Sequence, residues 1–329
     1  MPGPPSREIA PRALEIVLTP PQRARLRTVL DLPDLSAVEL TGEGWHRFAI
    51  LAPDCVVLLP RSHRWVPGLE REAAALPLLE QYGIAAPRLI ARLDDEELWP
   101  YPVSVISRGP WRTWAAVQDR ADRERWQQML AELAELIAGC HRIDVAAVPE
   151  TLRSSPPASP DPLERTLWHV EDYLRPGVLE ELCRSLADAA LLSAHRAGVW
   201  MKIMSPCLDM PSTFAHRDLN EGQIMINSDG AVAGLIDWES AGVQHPLSDL
   251  DFGGWGPGVW QHEPEMSVLR KGFWRHYVRA RGGDLPDWLP VQLFMTIIGA
   301  PPPEGHTTAW TEQRRDRTIA NLRAVDAMI

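Results

Sequence analysis

Between Thr213 and Glu239, inside a stretch otherwise helical in pattern, the apolar residues take up period two three times: Thr213–Ala215, Ile224–Ile226 and Ala231–Ile236. The last two segments are joined by Asn227-Ser228-Asp229-Gly230, residue types that favour a tight turn. The first segment is followed by His216-Arg217-Asp218 and the third by Asp237-Trp238-Glu239. Asp218 and Asp237 thus lie 19 positions apart, each at the end of a short strand, with a hairpin between them. Helices on both sides of this β excursion must supply its core, which excludes an all-β fold.

The rest of the chain divides in two around this feature. Residues 1–18 are Pro-rich and read as a loose or packed-on arm. Thr19-Pro20-Pro21-Gln22 signals a helix start, because Thr can cap, Pro is tolerated in the first turn and Gln sits three after the cap. That helix should end before Pro33. Period two then governs residues 37–59, giving a three-strand meander with a glycine-bearing first turn, Thr41-Gly42-Glu43-Gly44-Trp45. Leu69, Ala73, Leu76 and Leu79 mark a helix from Pro67 to Tyr82, stopped by Gly83 and kinked or split at Pro77. Strands follow at 89–93 and 103–107, and Ser107-Arg108-Gly109-Pro110 breaks the pattern. The expected division is therefore residues 1–109, including an arm over 1–35, and residues 110–329. The second part opens with a strongly periodic helix over 122–141. It continues through a Pro-rich surface loop at 149–162, helices at 163–173 and 178–197, and further helices after the β excursion, interrupted by Gly282-Gly283 and Pro301-Pro302-Pro303.

Composition narrows the functional classes. The chain has 329 residues, 45% of them hydrophobic, and a formal charge of -11. That acidity disfavours nonspecific attraction to nucleic acid or anionic lipid and is compatible with a cationic small substrate. No run of about 18 apolar residues occurs, so the expectation is a cytoplasmic protein with no membrane partner. Cys55, Cys140, Cys183 and Cys207 are widely spaced, without metal-ligand spacing, and are expected to be reduced thiols. His245, His262 and His306 likewise form no ligand pattern, and most of the 14 tryptophans are assigned to packing.

The stretch His216-Arg217-Asp218-Leu219-Asn220-Glu221-Gly222-Gln223, with Ile236-Asp237-Trp238-Glu239 at short range, carries the chemistry. Two acids so placed can hold one carboxylate near an attacking hydroxyl and the other on a phosphate-bound metal. Phosphoryl transfer needs this because its catalysis is mostly positioning and charge neutralisation. The segment resembles the aminoglycoside phosphotransferase and choline kinase-like family, whose catalytic motif reads H-G-D-x-x-x-x-N followed by a strand and I-D-[WF]-E. The resemblance extends to Leu40–Trp45 as the nucleotide-covering turn, Leu69–Leu76 as the main helix of the first lobe, and Leu136–His141 before the catalytic segment. It implies an α+β, bilobal protein-kinase-like fold: a small N-terminal antiparallel sheet lobe with one main helix, and a larger, mainly helical C-terminal lobe.

The resemblance also implies residue roles. Asp218 accepts or orients the substrate hydroxyl proton, and His216 supports the catalytic loop. Asp249 hydrogen-bonds that loop from below, and Asp237 binds Mg²⁺ that bridges the nucleotide phosphates. Gln223 takes the second metal-ligand position, where the family has Asn. Gly42, Gly44 and Trp45 cover the nucleotide. The third strand departs from the family, because Leu58 stands where a phosphate-gripping Lys or Arg is usual. Arg61 and Arg64 are the nearest replacements, with Glu72 as the helix partner. The expected activity is transfer of the γ-phosphate of ATP or GTP to a small-molecule hydroxyl, with an antibiotic as the favoured acceptor. Two alternatives stand beside it: a housekeeping kinase of an amino alcohol, amino acid or sugar, and a nucleotide-binding pseudokinase with a regulatory role.

Overall fold

A computed structural model describes residues 14, 17–32, 34–41, 46–153, 184, 194–250, 264–298, 323, 327 and 329. Its contacts divide the chain into two compact units. The first comprises Met1–Trp111 together with Gly234–Ser240, and the second Arg112–Ala233 with Ala241–Ile329.

In the first unit, helix α1 (Pro20–Val29) starts where Thr19 and Gln22 place it: the Thr19 backbone N–H donates to Gln22 Oε1 at 2.9 Å. The meander follows as β1 (Glu39–Thr41), β2 (Arg47–Leu51) and β3 (Cys55–Pro60). Helix α2 (Val66–Gln81) separates it from β4 (Leu89–Leu93) and β5 (Val103–Ser107). The five strands form one antiparallel sheet in the order β1-β2-β3-β5-β4.

Strand alternation gives this sheet two different faces. Leu40, Ile50, Val57 and Val105 are consecutive cross-strand partners, and with Leu59 and Val103 they join Leu18 and Leu26 of the N-terminal segment in one hydrophobic core. The opposite face carries the ladder Ala49↔Leu58↔Ser104, with Arg47 opposite Pro60 at its end. Helix α2 ends at a left-handed Gly83 (φ 66°) in a two-bond cap: Gly83 N–H to Glu80 O, and Ile84 N–H to Leu79 O. Pro77 does not split this helix, which runs unbroken from Val66 to Gln81. Leu76, Leu78 and Leu79 around it are buried, and packing of this kind overrides the local cost of a missing donor.

The second unit begins at β6 (Arg112–Thr113) and α3 (Arg123–His141), whose N-terminus is capped by Asp122 accepting from the Arg125 N–H. A helical turn, α4 (Glu150–Arg153), opens the segment read as loop. Residues 154–183 and 185–193, which hold most of the two helices expected next, lie outside the described residues. Helix α5 (Ala194–Leu208) runs well past the expected end at Ala197. Strands β7 (Thr213–Ala215), β8 (Ile224–Ile226) and β9 (Val232–Leu235) match the three short β segments of the sequence. Two strands carry no clear sequence signal: β6, which pairs with β8, and β10 (Gly242–Gln244), which pairs with β7. Helices α6 (Pro264–Arg281) and α7 (Trp288–Ile298) complete the unit. Helix α6 packs along α3; Phe273, Trp274 and Tyr277 of α6 and Met129, Leu133 and Ile137 of α3 are all buried. Each such side chain contributes about 1.5–3 kcal/mol on burial.

Cys55, Cys140 and Cys207 are free thiols, and Cys183 lies outside the described residues. Among the described residues no helix is long and apolar enough to cross a membrane.

Candidate active site

The loop between β7 and β8 holds the first group of site residues, all within the second unit. Its backbone is fastened by Asp249, which sits on the short 3-10 turn Pro246–Leu250. Asp249 Oδ1 accepts from the Arg217 N–H at 2.6 Å, and Oδ2 accepts from the His216 N–H at 2.9 Å. His141, the last residue of α3, brings Nε2 to Oδ2 at 3.0 Å and Nδ1 to the Tyr277 hydroxyl of α6 at 2.7 Å. Asp249, His141 and Tyr277 are all buried. Burial alone would raise the Asp249 pKa, but hydrogen bonding from His141 and the loop amide, with the nearby imidazoles, holds it below its ordinary value.

This clamp holds a strained backbone. Arg217 adopts φ 72°, a left-handed conformation that a non-glycine residue takes only when its surroundings enforce it. The next residue, Asp218, is exposed. Gln223 turns back onto the loop: Oε1 accepts from the Asn220 N–H at 2.7 Å, and Nε2 donates to Asp218 Oδ2 at 3.4 Å. His216 is buried, with Nδ1 3.4 Å from the Asp218 backbone nitrogen. A fixed loop thus presents one exposed carboxylate whose orientation is set by an amide and a backbone clamp.

The second group belongs to the first unit. Arg47, the first residue of β2, reaches Glu72 of α2 with Nη1 and Asp237 with Nη2. Glu239 lies 3.9 Å from Nη1, and His46 Nδ1 meets Glu239 Oε1. The His46 ring stacks on Trp65 with centroids 3.8 Å apart. Glu72 is buried and its Oε1 also faces the Trp238 N–H at 3.3 Å. Burial lowers the tendency of Arg47 to hold its proton, but Asp237, Glu72 and Glu239 more than reverse this, so the guanidinium stays charged. Glu72 moves up: burial pushes it most, Arg47 pulls it back, and Asp237 and Glu239 add to the rise. Asp237 has φ 71°, a left-handed backbone that a non-glycine residue rarely takes.

Three carboxylates around one guanidinium leave this cluster with acid in excess. The Asp237 side chain keeps 30% of its surface exposed and offers carboxylate oxygen, which suits a hard divalent cation such as Mg²⁺ that retains several waters. Gln223 presents an amide oxygen of the same hardness, though that oxygen already accepts from Asn220.

The structure places the other sequence candidates differently. Arg61 is exposed, with its guanidinium 4.2 Å from the centre of the Phe48 ring. Phe48 alternates with Arg47, so Arg61 is drawn to the sheet face opposite the cluster. Arg64 lies over the Trp65 ring at 4.4 Å. The expectation that one of these two would pair with Glu72 is corrected: Arg47 fills that place. Gly42, Gly44 and Trp45 lie outside the described residues. Sequence reading also missed His141, which meets Asp249 across 108 positions, and Tyr277, which meets His141 across 136; separations of that size leave no local pattern.

Residues 38–292 match APH, the phosphotransferase enzyme family. Among solved structures, the GDP complex of wild-type aminoglycoside 2'-phosphotransferase-IIIa is 19% identical, with a TM-score of 0.55 over 94% of this chain and 99% of that one. The streptomycin-ATP-APH(2")-IIa ternary complex is 12% identical, with a TM-score of 0.51 over 93% and 96%. ADP-bound aminoglycoside phosphotransferase APH(2'')-Ib is 12% identical, with a TM-score of 0.51 over 93% and 99%. These likenesses show the fold: α+β, bilobal and protein-kinase-like, as the sequence resemblance implied.

Proposed function

This chain belongs to the phosphotransferase enzyme family, and on that premise we propose that it transfers the γ-phosphate of ATP or GTP to a hydroxyl of a small-molecule antibiotic. The observation that carries the reading is the exposed Asp218 carboxylate on a loop whose strained backbone is clamped by buried Asp249. A scaffold that only bound nucleotide would have no use for an acid fixed in this way.

In the proposed reaction Asp218 accepts the proton of the acceptor hydroxyl. The hydroxyl oxygen forms a bond to the γ-phosphorus as the bond from phosphorus to the bridging oxygen breaks, and the nucleoside diphosphate leaves. Gln223 and the backbone clamp hold Asp218 in one orientation, which matters because small errors in position cost large factors in rate. Asp237 would hold Mg²⁺, which when bound neutralises phosphate charge and orients the nucleotide. The excess acid around Asp237 supports that assignment. A charge of -11 on the whole chain favours cationic acceptors, and the neighbouring structures include an enzyme with streptomycin and ATP bound.

The test is direct. Purified protein is incubated with Mg²⁺ and ATP or GTP across aminoglycosides, macrolides, basic peptide antibiotics and small amino alcohols, and products are read by mass spectrometry. The expected result is a singly phosphorylated antibiotic, formed by wild type and lost in Asp218→Ala while nucleotide binding persists. Phosphorylation of an amino alcohol alone would move the function to housekeeping metabolism. Nucleotide binding that supports no transfer to any acceptor, and is unaltered in Asp218→Ala, would favour a regulatory pseudokinase.

A further inference from the structure

We propose that Arg47, on the second strand of the sheet, is the residue that grips the nucleotide phosphates in this enzyme, replacing the cation missing from the third strand at Leu58. The inference rests on the phosphotransferase reading and specifies how that site holds its nucleotide.

The sheet register supports the substitution. Arg47 is the cross-strand partner of Pro60, and Leu58 is two residues from Pro60 on the same strand. Arg47 and Leu58 therefore share one face of the sheet as diagonal neighbours, about 7–8 Å apart at Cα. An arginine side chain is long enough to cover that distance, so a guanidinium from position 47 can reach the region a cation from position 58 would serve. Leu58 is buried and supplies no charge there.

The contacts of Arg47 are those such a cation needs. Nη1 is fixed by Glu72, a buried carboxylate on α2, which orients the guanidinium from behind. Nη2 points to Asp237, the acid proposed to hold Mg²⁺, so that guanidinium end would be available to a phosphate brought to that acid. The Arg47 side chain is mostly buried, at 14% exposure. A planar, permanently charged group with several donors in a fork can keep one bond to Glu72 while giving another to phosphate. With nucleotide bound, the Nη2 end would be free to give its bond to a phosphate oxygen in place of Asp237, whose carboxylate could then hold Mg²⁺.

A structural role alone would predict otherwise for Arg47: its loss would loosen the first unit and affect every ligand equally. Phosphate recognition instead affects ligands according to their phosphates. The experiment uses the full chain and titrates wild type, Arg47→Met, Arg61→Met and Arg47→Met/Leu58→Lys with Mg²⁺·ATP, Mg²⁺·GTP and the corresponding nucleosides, by calorimetry. Thermal melting checks that each variant is folded. Loss of a charge-assisted bond to phosphate should weaken triphosphate binding in Arg47→Met on the order of 10- to 100-fold and leave nucleoside binding within about twofold. Arg61→Met should stay within about twofold of wild type for both ligands. Restoring a cation at position 58 should recover at least about fivefold of the lost triphosphate affinity. Arg47→Lys, which keeps the charge and loses the fork, should fall between wild type and Arg47→Met, and it serves if the double variant does not fold.

Wild type that binds neither nucleotide overturns the phosphotransferase reading and the role of Arg47 together. Wild type that binds, with Arg47→Met binding triphosphate equally well, overturns the role of Arg47 alone. Equal weakening of nucleoside and triphosphate overturns it also, because the residue would then act only on the shape of the site.

Discussion

Replacing Asp249 with Asn tests the clamp on the loop between β7 and β8. The carboxylate accepts three N–H donors: His216 and Arg217 from the backbone, and the His141 ring. Asn keeps one oxygen. If that oxygen takes the Oδ2 position it retains His216 and His141 and turns an NH₂ group toward the Arg217 N–H; the opposite orientation loses two bonds. Hydrogen bonds to a charged group are worth about 1.5–3 kcal/mol and neutral ones about 1 kcal/mol. One lost bond and two weakened ones therefore amount to about 2.5–7 kcal/mol, against a total stability of about 5–15 kcal/mol for an ordinary domain. The released loop also no longer holds Arg217 at φ 72°. Urea unfolding at pH 7 should show this as a fall in midpoint with unchanged slope. The pH dependence supplies a second check. The folded pKa of Asp249 lies below its ordinary 3.8, so its stabilisation is complete above the unfolded value and is lost as pH falls through the folded pKa. The gap between wild type and Asp249→Asn should therefore narrow below about pH 4. A destabilisation under about 1 kcal/mol at pH 7, or a gap independent of pH, would refute the account of the clamp.

Three further outcomes follow from other parts of the structure. Gly234 has φ 147°, and a Cβ there would stand 2.5 Å from the Ala85 carbonyl oxygen, which already accepts the Leu235 N–H. Gly234→Ala should cost about 2–4 kcal/mol in denaturant unfolding; a loss under about 0.5 kcal/mol would contradict the contact. Burial pushes the His245 pKa down to about 4, in spite of a hydrogen bond to the Cys207 carbonyl. Between about pH 6.5 and 4 only the unfolded chain takes up that proton, so stability should fall by about 1.4 kcal/mol per pH unit on acidification, and His245→Gln should remove that slope. For Asp237, held at φ 71°, Asn tolerates the left-handed backbone better than Ala. Both variants should bind Mg²⁺·nucleotide at least about tenfold more weakly, with Asp237→Ala melting at the lower temperature; wild-type affinity in either would refute the proposed metal role of Asp237.

Local signals in the sequence carried far into this structure. The cap at Thr19, the stop at Gly83, strands at 89–93 and 103–107 and the hairpin through Asn227 and Gly230 each depend on residues within a few positions of one another. Asp218 and Asp237 stand at strand ends for the same reason. What escaped was set at long range. Nothing near Arg47 distinguishes it from other strand-end arginines; its meaning comes from the β2–β3 register, which aligns it diagonally with Leu58, and from Glu72 on the following helix. Chain proximity points to Arg61 as the replacement cation, whereas alternation across the sheet sends Arg61 to the Phe48 face. Strands β6 and β10 are too short for periodicity and exist because β8 and β7 offer them edges.

The membership of Gly234–Ser240 in the first unit limits how the gene can be divided. A fragment ending at Trp111 would encode Arg47 and Glu72 without Asp237 and Glu239, and would leave unfilled the place of the fully buried Trp238 ring. Such a fragment should express as an aggregating or molten species. A chimera exchanging only the first 111 residues with a distant relative would pair the guanidinium of one parent with the carboxylates of the other. An exchange that keeps the Arg47 cluster together has to carry two separate stretches of coding sequence, 1–111 and 234–240.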